Sequence, residues 1–160
     1  MILLKTLISQ LTLQLQQPHR LCSLTPTANA STAATNNQKR ILLVEDDEGL
    51  ATVYIARLNA EGFAVRHVVN GEDALSNAID FKPDLILLDV MMPKISGFDV
   101  LDILRNTPET ANMHIIMLTA LSQQKDKERA EALGVDDYLV KSQVVIADVV
   151  ERVKKALHVA

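Results

Sequence analysis

The sequence predicts a three-layer α/β sandwich, in which a parallel sheet of five strands is covered by helices on both faces. Three observations carry this reading. From residue 40 onward, short aliphatic runs alternate with amphipathic stretches, giving five strand–helix pairs. The run Leu85-Ile86-Leu87-Leu88 contains no polar residue, the pattern of a strand buried on both sides. The connections between segments are short, which suits parallel strands with helices packed above and below them.

The elements follow in order. "RILLVEDD" opens on a strand, and "EGLATVYIARLNAEG" is an amphipathic helix stopped by Gly62 as a left-handed cap. "FAVRHVV" alternates as a second strand, and "NGEDALSNAIDF" is a helix opened by Asn70 and Gly71. Lys82-Pro83 breaks the chain before "DLILLD". A third helix runs from Gly97 to Arg105, "MHIIMLT" is the fourth strand, and "SQQKDKERAEALG" is a charge-rich helix ending at Gly134. "DYLV" and "VIADVVERVKKALHV" complete the set. There is no internal repeat and no second domain. The expected architecture is therefore (βα)5 with the flavodoxin-like strand order 2-1-3-4-5.

A chain of 160 residues accommodates one such domain and a short extension. The net charge is −4 and every acid follows residue 40, which argues against a nucleic-acid-binding face. The lone Cys22 excludes an internal disulfide and a multi-cysteine metal site, and it fits a reducing, cytoplasmic setting. No apolar run approaches the roughly 18 residues of a membrane span. Leu4, Leu7, Ile8, Leu11 and Leu15 share a helical face, and Cys22 to Asn37 is rich in Ser, Thr, Ala and Asn. Residues 1–38 thus read as a disordered or weakly helical extension and linker, dispensable to a domain spanning 39–160. "ANA" at Ala28 to Ala30 resembles a signal-peptide cleavage site, but Lys5, Gln10 and Gln14 interrupt the apolar region it would need.

In sheets of this kind, ligands bind at the carboxyl ends of the strands near the reversal of strand order. The first strand ends in Glu45-Asp46-Asp47, the third in Asp89, the fourth in Thr119, and the fifth near Lys141. An ionised carboxylate at the end of a buried strand needs a partner or a cation. Several carboxylates in a shallow pocket suit Mg2+, which keeps some of its waters, and Lys141 can neutralise anionic oxygens beyond the metal's reach. The set looks built to collect a phosphoryl group. Each member alone has a plainer reading. Asp89 reads as a turn or cap, Thr119 as a hydroxyl satisfying backbone, Lys141 as a solvated charge, and Glu45, Asp46 and Asp47 as an acidic first helical turn. Their meeting on one rim favours the functional reading. His19, His67, His114 and His158 are expected to lie off the rim. Met91 and Met92 read as pocket packing, with the Met91 carbonyl within reach of a metal. No GxxxxGK[ST] loop is present, so nucleotide binding of that type is not expected.

Taken together, "ILLVEDD", "DLILLDVMMPKISGFDVL", "IIMLTA" and "GVDDYLVK" resemble the receiver domain of two-component response regulators, from about Arg40 to Leu157. The resemblance implies that Asp89 accepts a phosphoryl group from the phosphohistidine of a sensor histidine kinase or a histidine phosphotransfer protein. It implies Mg2+ held by Glu45, Asp46, Asp89 and the Met91 backbone carbonyl, with Asp46 a direct ligand and Asp47 in a minor role. Thr119 and Tyr138 match the family's switch pair, Tyr138 turning inward once Asp89 is phosphorylated, and Lys141 matches its lysine. The implied role is signalling rather than enzymatic, with no direct nucleic-acid or membrane partner. A downstream effector protein would carry the output, since no DNA-binding domain fits before Ala160. Ser142 stands where the family usually has proline after a cis peptide. A non-proline cis bond costs about 2.5–4 kcal/mol, so a trans bond is expected here. Met91 and Leu121, two residues after Asp89 and Thr119, are apolar where the family geometry implies a water-orienting side chain, so slow self-dephosphorylation is expected. Two alternatives compete: a receiver fold that binds without taking phosphate, and a metal-dependent phosphatase. The latter would usually need an acid where Met91 stands.

Overall fold

Residues 38–160 are described in the computed structural model, and they carry the five strand–helix pairs: β1 (Arg40–Val44), α1 (Glu48–Ala60), β2 (Ala64–Val68), α2 (Gly71–Phe81), β3 (Leu85–Leu88), α3 (Gly97–Asn106), β4 (His114–Thr119), α4 (Gln124–Ala132), β5 (Asp137–Val140) and α5 (Ile146–Ala156). All strands pair in parallel, in the order β2-β1-β3-β4-β5 that the sequence predicts. The leucine face and the Ser/Thr-rich tract before residue 38 lie outside the described residues.

Local chemistry sets the element ends. Side chains of Asp47, Asn70 and Ser96 accept backbone N–H groups at the starts of α1, α2 and α3, at 2.8, 2.9 and 3.3 Å. Gly62 and Gly134 follow α1 and α4 with φ of +88° and +80°, where a side chain would strain the backbone. No cis peptide bond occurs among the described residues, so the Lys141–Ser142 bond is trans, as expected.

Strand parity divides the core in two. Ile41 and Leu43, Leu85 and Leu87, Ile116 and Leu118, and Leu139 pack on one face against Tyr54 and Leu58 of α1 and Val149 and Val153 of α5. Leu42 and Val44, Ile86 and Leu88, Ile115 and Met117, and Tyr138 pack on the other, against Ala74 and Ala78 of α2, Leu101 and Leu104 of α3, and Ala130 of α4. Because successive side chains in a strand point to opposite faces, this parity also decides where the residues just past each strand project.

At the amino edge of the sheet, Asp84 fixes the start of β1 against β3. Its Oδ2 accepts the Arg40 N–H at 2.7 Å, its Oδ1 pairs with Lys39 Nζ at 3.2 Å, and its own N–H donates to the Arg40 carbonyl at 2.8 Å. Burial pushes the Asp84 carboxyl up, but the Arg40 and Lys39 contacts outweigh it and hold the group below its ordinary range. A depressed folded value means that the folded state binds fewer protons. The stabilisation is therefore present above the unfolded carboxylate range, and it is lost as pH falls through the folded value. We expect Asp84→Ala to lower stability at neutral pH by about 1 kcal/mol. The deficit should shrink in denaturant melts run at progressively more acid pH.

Candidate phosphoacceptor site

Glu45, Asp89 and Lys141 continue the parity of Leu43, Leu87 and Leu139, so three strands deliver them to the same side of the carboxyl edge. Glu45 and Asp89 are 2% and 4% exposed. The Lys141 ammonium lies between them, 2.6 Å from Glu45 Oε2 and 2.5 Å from Asp89 Oδ2. The backbone under the pair is pinned: Glu45 N–H donates to Val68 O at 3.1 Å and Asp89 N–H to Val44 O at 3.0 Å. The other Asp89 oxygen, Oδ1, accepts the Met91 N–H at 2.9 Å.

Burial pulls the Lys141 pKa down, but hydrogen bonds to Asp89 and Glu45 more than reverse this and raise it. Lys141 therefore stays an ammonium. Glu45 moves up for the opposite balance: burial disfavours its charge more than a share of one ammonium restores it. One cation serves two buried carboxylates, which leaves the pocket favourable to further positive charge.

Asp46 supplies the third carboxylate. Ligand oxygens of Glu45, Asp46 and Asp89 lie within 4.8 Å of one another, and Asp46 is exposed while the other two are buried. Three hard oxygens with an open side suit a Mg2+ ion that keeps several waters, so the donor set fits the metal the sequence implied. Met91 is tied next to Asp89 through its N–H, and its side chain is 56% exposed rather than packed. Asp47 caps α1, accepting the Leu50 N–H at 2.8 Å, one position before the first helical turn in which its plainer reading put it.

Thr119 and Tyr138 belong to the other face. Thr119 is fully buried, and its Oγ1 accepts the Leu121 N–H at 3.3 Å. The Tyr138 hydroxyl donates to the Leu121 carbonyl at 3.0 Å. The two residues thus hold Leu121 through the peptide groups on either side of its Cα. The Tyr138 ring is 8% exposed and already lies inward, packed in the α2–α4 core. Burial first, then the charges of Asp126 and Asp89, push its phenol up.

Two residues here escaped the sequence reading. Gly97, read as the first residue of the third helix, is a close-contact position: a Cβ there would stand 2.1 Å from Asp89 O and 2.8 Å from Val90 Cα. His67, expected off the rim, places Nε2 2.7 Å from the Glu45 carbonyl, so it touches the site's backbone. His114 pairs instead with Asp136 at the start of β4, and His158 follows α5. His19 lies outside the described residues.

The fold and this acidic rim define a signalling receiver, and comparison with known proteins gives the family. The response regulator receiver domain profile matches residues 41–154, and the chain belongs to that family. It is 40% identical over 102 residues to the DNA-binding dual master transcriptional regulator RpaA of Synechocystis sp., covering 64% of this chain and 42% of that protein. It is 46% identical over 102 residues to the transcriptional regulatory protein CpxR of Escherichia coli (strain K12), with the same 64% and 42% coverage. Among solved structures it is similar to the receiver domain of the Francisella response regulator 1452, with a TM-score of 0.70, 28% identity, and coverage of 76% of this chain and 98% of that one. The chain spans about two-fifths of the length of the curated relatives it matches.

The Gly97 contact gives a direct test. An alanine would drive its Cβ into the Asp89 peptide, and both partners are backbone, so neither can swing away. We expect Gly97→Ala to destabilise the domain by about 3 kcal/mol, seen in chemical denaturation.

Proposed function

We propose that residues 39–160 form the phosphoacceptor module of a two-component relay, with Asp89 taking a phosphoryl group from a sensor histidine kinase or histidine phosphotransfer protein. Residues 1–38 stand outside this module. The observation that carries the reading is the placement of Asp89. Its backbone is fixed at the end of a fully buried central strand, while its carboxylate is held by Lys141 and flanked by Glu45 and Asp46.

In this reading, an Asp89 carboxylate oxygen attacks phosphorus in line. A P–O bond forms as the P–N bond breaks, and the electron pair of the broken bond stays on the imidazole nitrogen. Glu45, Asp46, Asp89 and the Met91 carbonyl would hold Mg2+, which when bound supplies Lewis-acid offset of the phosphoryl charge. Lys141 keeps its ammonium beside Asp89 and transfers its contact to a phosphoryl oxygen. The Thr119 hydroxyl donates to the phosphoryl group. The Leu121 backbone it now engages, also bound by Tyr138, then rearranges and carries the change toward α4 and β5. Output runs through a downstream effector protein in the cytoplasm. The relatives named as transcriptional regulators are more than twice as long as the matched segment.

Incubation with acetyl phosphate and Mg2+ should add one phosphate to the chain by intact mass and none to Asp89→Ala. Equal labelling of that variant would overturn the assignment. In Asp46→Ala, calorimetric titration should show Mg2+ affinity reduced by at least about tenfold.

The lifetime of the phosphorylated form gives a further check. Hydrolysis needs a water in line behind phosphorus, and a polar side chain can orient it. Met91 and Leu121 flank Asp89 and Thr119 with apolar groups instead. The double variant Met91→Asn with Leu121→Glu should lose its phosphate several-fold faster than the parent, which corresponds to roughly 1 kcal/mol of barrier. Unchanged or slower decay would refute the shielding role.

A further inference from the structure

The end of β1 leaves one backbone acceptor that the sheet does not satisfy. The β1–β2 ladder runs to Val44 opposite Val68, and the Glu45 N–H makes its last bond, to Val68 O at 3.1 Å. Beyond Val68 the chain turns into α2, whose cap is Asn70, so β2 offers no backbone N–H to the Glu45 carbonyl. A side chain supplies the donor instead. His67, paired with Leu43 across the ladder, extends along the strand and brings Nε2 to 2.7 Å from Glu45 O. A carbonyl oxygen only accepts, so Nε2 carries the proton.

That bond matters because of what shares its peptide plane. The Glu45 carbonyl and the Asp46 N–H belong to one rigid unit, so fixing the oxygen fixes the direction in which Asp46 leaves the strand. Asp46 is exposed, and among the described residues no side chain donates to its carboxylate. The orientation of its backbone is what aims it at Glu45 and Asp89. We infer that His67 is a positioning residue for the acid cluster: by holding the Glu45–Asp46 peptide it sets the aim of the Asp46 carboxylate and thereby the affinity of the cluster for a divalent cation. This rests on the reading of Glu45, Asp46 and Asp89 as a metal site.

The test uses the full chain and two substitutions. His67→Leu keeps the bulk and removes the donor; His67→Gln restores an N–H at similar reach. In EDTA, amide hydrogen exchange at Asp46 and Asp47 should accelerate in His67→Leu and return toward the parent rate in His67→Gln. Calorimetric titration with Mg2+ alone should show affinity about tenfold weaker in His67→Leu and largely recovered in His67→Gln. A purely structural role would lower the melting temperature of both variants and leave metal affinity unchanged. Equal Mg2+ affinity in parent and His67→Leu overturns the inference while leaving the metal site intact. Absence of Mg2+ binding in the parent chain overturns the metal reading itself, and the inference falls with it.

Discussion

A single ammonium shared by two buried carboxylates holds the carboxyl edge of this domain together. Glu45 and Asp89 are almost fully removed from solvent, and two like charges in that setting repel each other and disfavour their own ionisation. Lys141 offsets both in part, although burial still holds the Glu45 carboxyl above its ordinary range. Its position is demanding: β4 lies between β3 and β5, so Lys141 starts about 10 Å from the strand that carries Asp89, and Glu45 lies one strand further still. A long flexible stem with a compact charge at its tip can cross that gap, whereas a planar guanidinium would be less suited to sit between two separate carboxylates. β4 ends in Thr119, which projects to the opposite face, and the next residue, Ala120, is short.

The sheet then separates two tasks by face. Charge is gathered on the α1/α5 side, where Glu45, Asp89 and Lys141 follow the parity of the aliphatic residues below them. Hydroxyl chemistry sits on the α2–α4 side, where Thr119 and Tyr138 meet at the backbone of Leu121. The faces communicate through the edge itself, since the Lys141 N–H donates to the Thr119 carbonyl at 2.8 Å. Within the proposed function, a phosphoryl group on Asp89 would draw on Lys141 from one face and Thr119 from the other. The same backbone segment would register both pulls.

Most of this was legible in the sequence because it depends on strand ends. An uninterrupted apolar run locates a buried strand, the residue after it must lie at the edge, and four such ends bring Glu45, Asp89, Thr119 and Lys141 together without any knowledge of distances. Gly62 and Gly134 marked helix ends by the conformation they alone adopt easily. The residues that were misread act through backbone. The bond from His67 to the Glu45 carbonyl spans 22 positions and uses an atom every residue has, so it leaves no pattern of types. Gly97 looks like any turn glycine until the Asp89 carbonyl is seen against its Cα. Asp47 is chemically identical to Asp46 in the sequence, and only the start of α1 assigns one to capping and leaves the other to the cluster.

Ser142 shows how far the edge tolerates departure from the family pattern. If the loop after Lys141 set the lysine's position, a trans bond in place of a cis proline would displace the ammonium. The structure puts the control upstream instead. Ile116, Met117, Leu118 and Thr119 pair in register with Asp137, Tyr138, Leu139 and Val140, and the Lys141 N–H closes on Thr119 O as the next rung. After that rung, Gln143 N–H turns back to the Val140 carbonyl at 2.8 Å, bending the chain toward α5 without a proline. The Lys141 Cα is thus fixed by β4 before residue 142 is reached, and its side chain still closes on both carboxylates. What proline would add is stiffness to a loop that the ladder has already aimed.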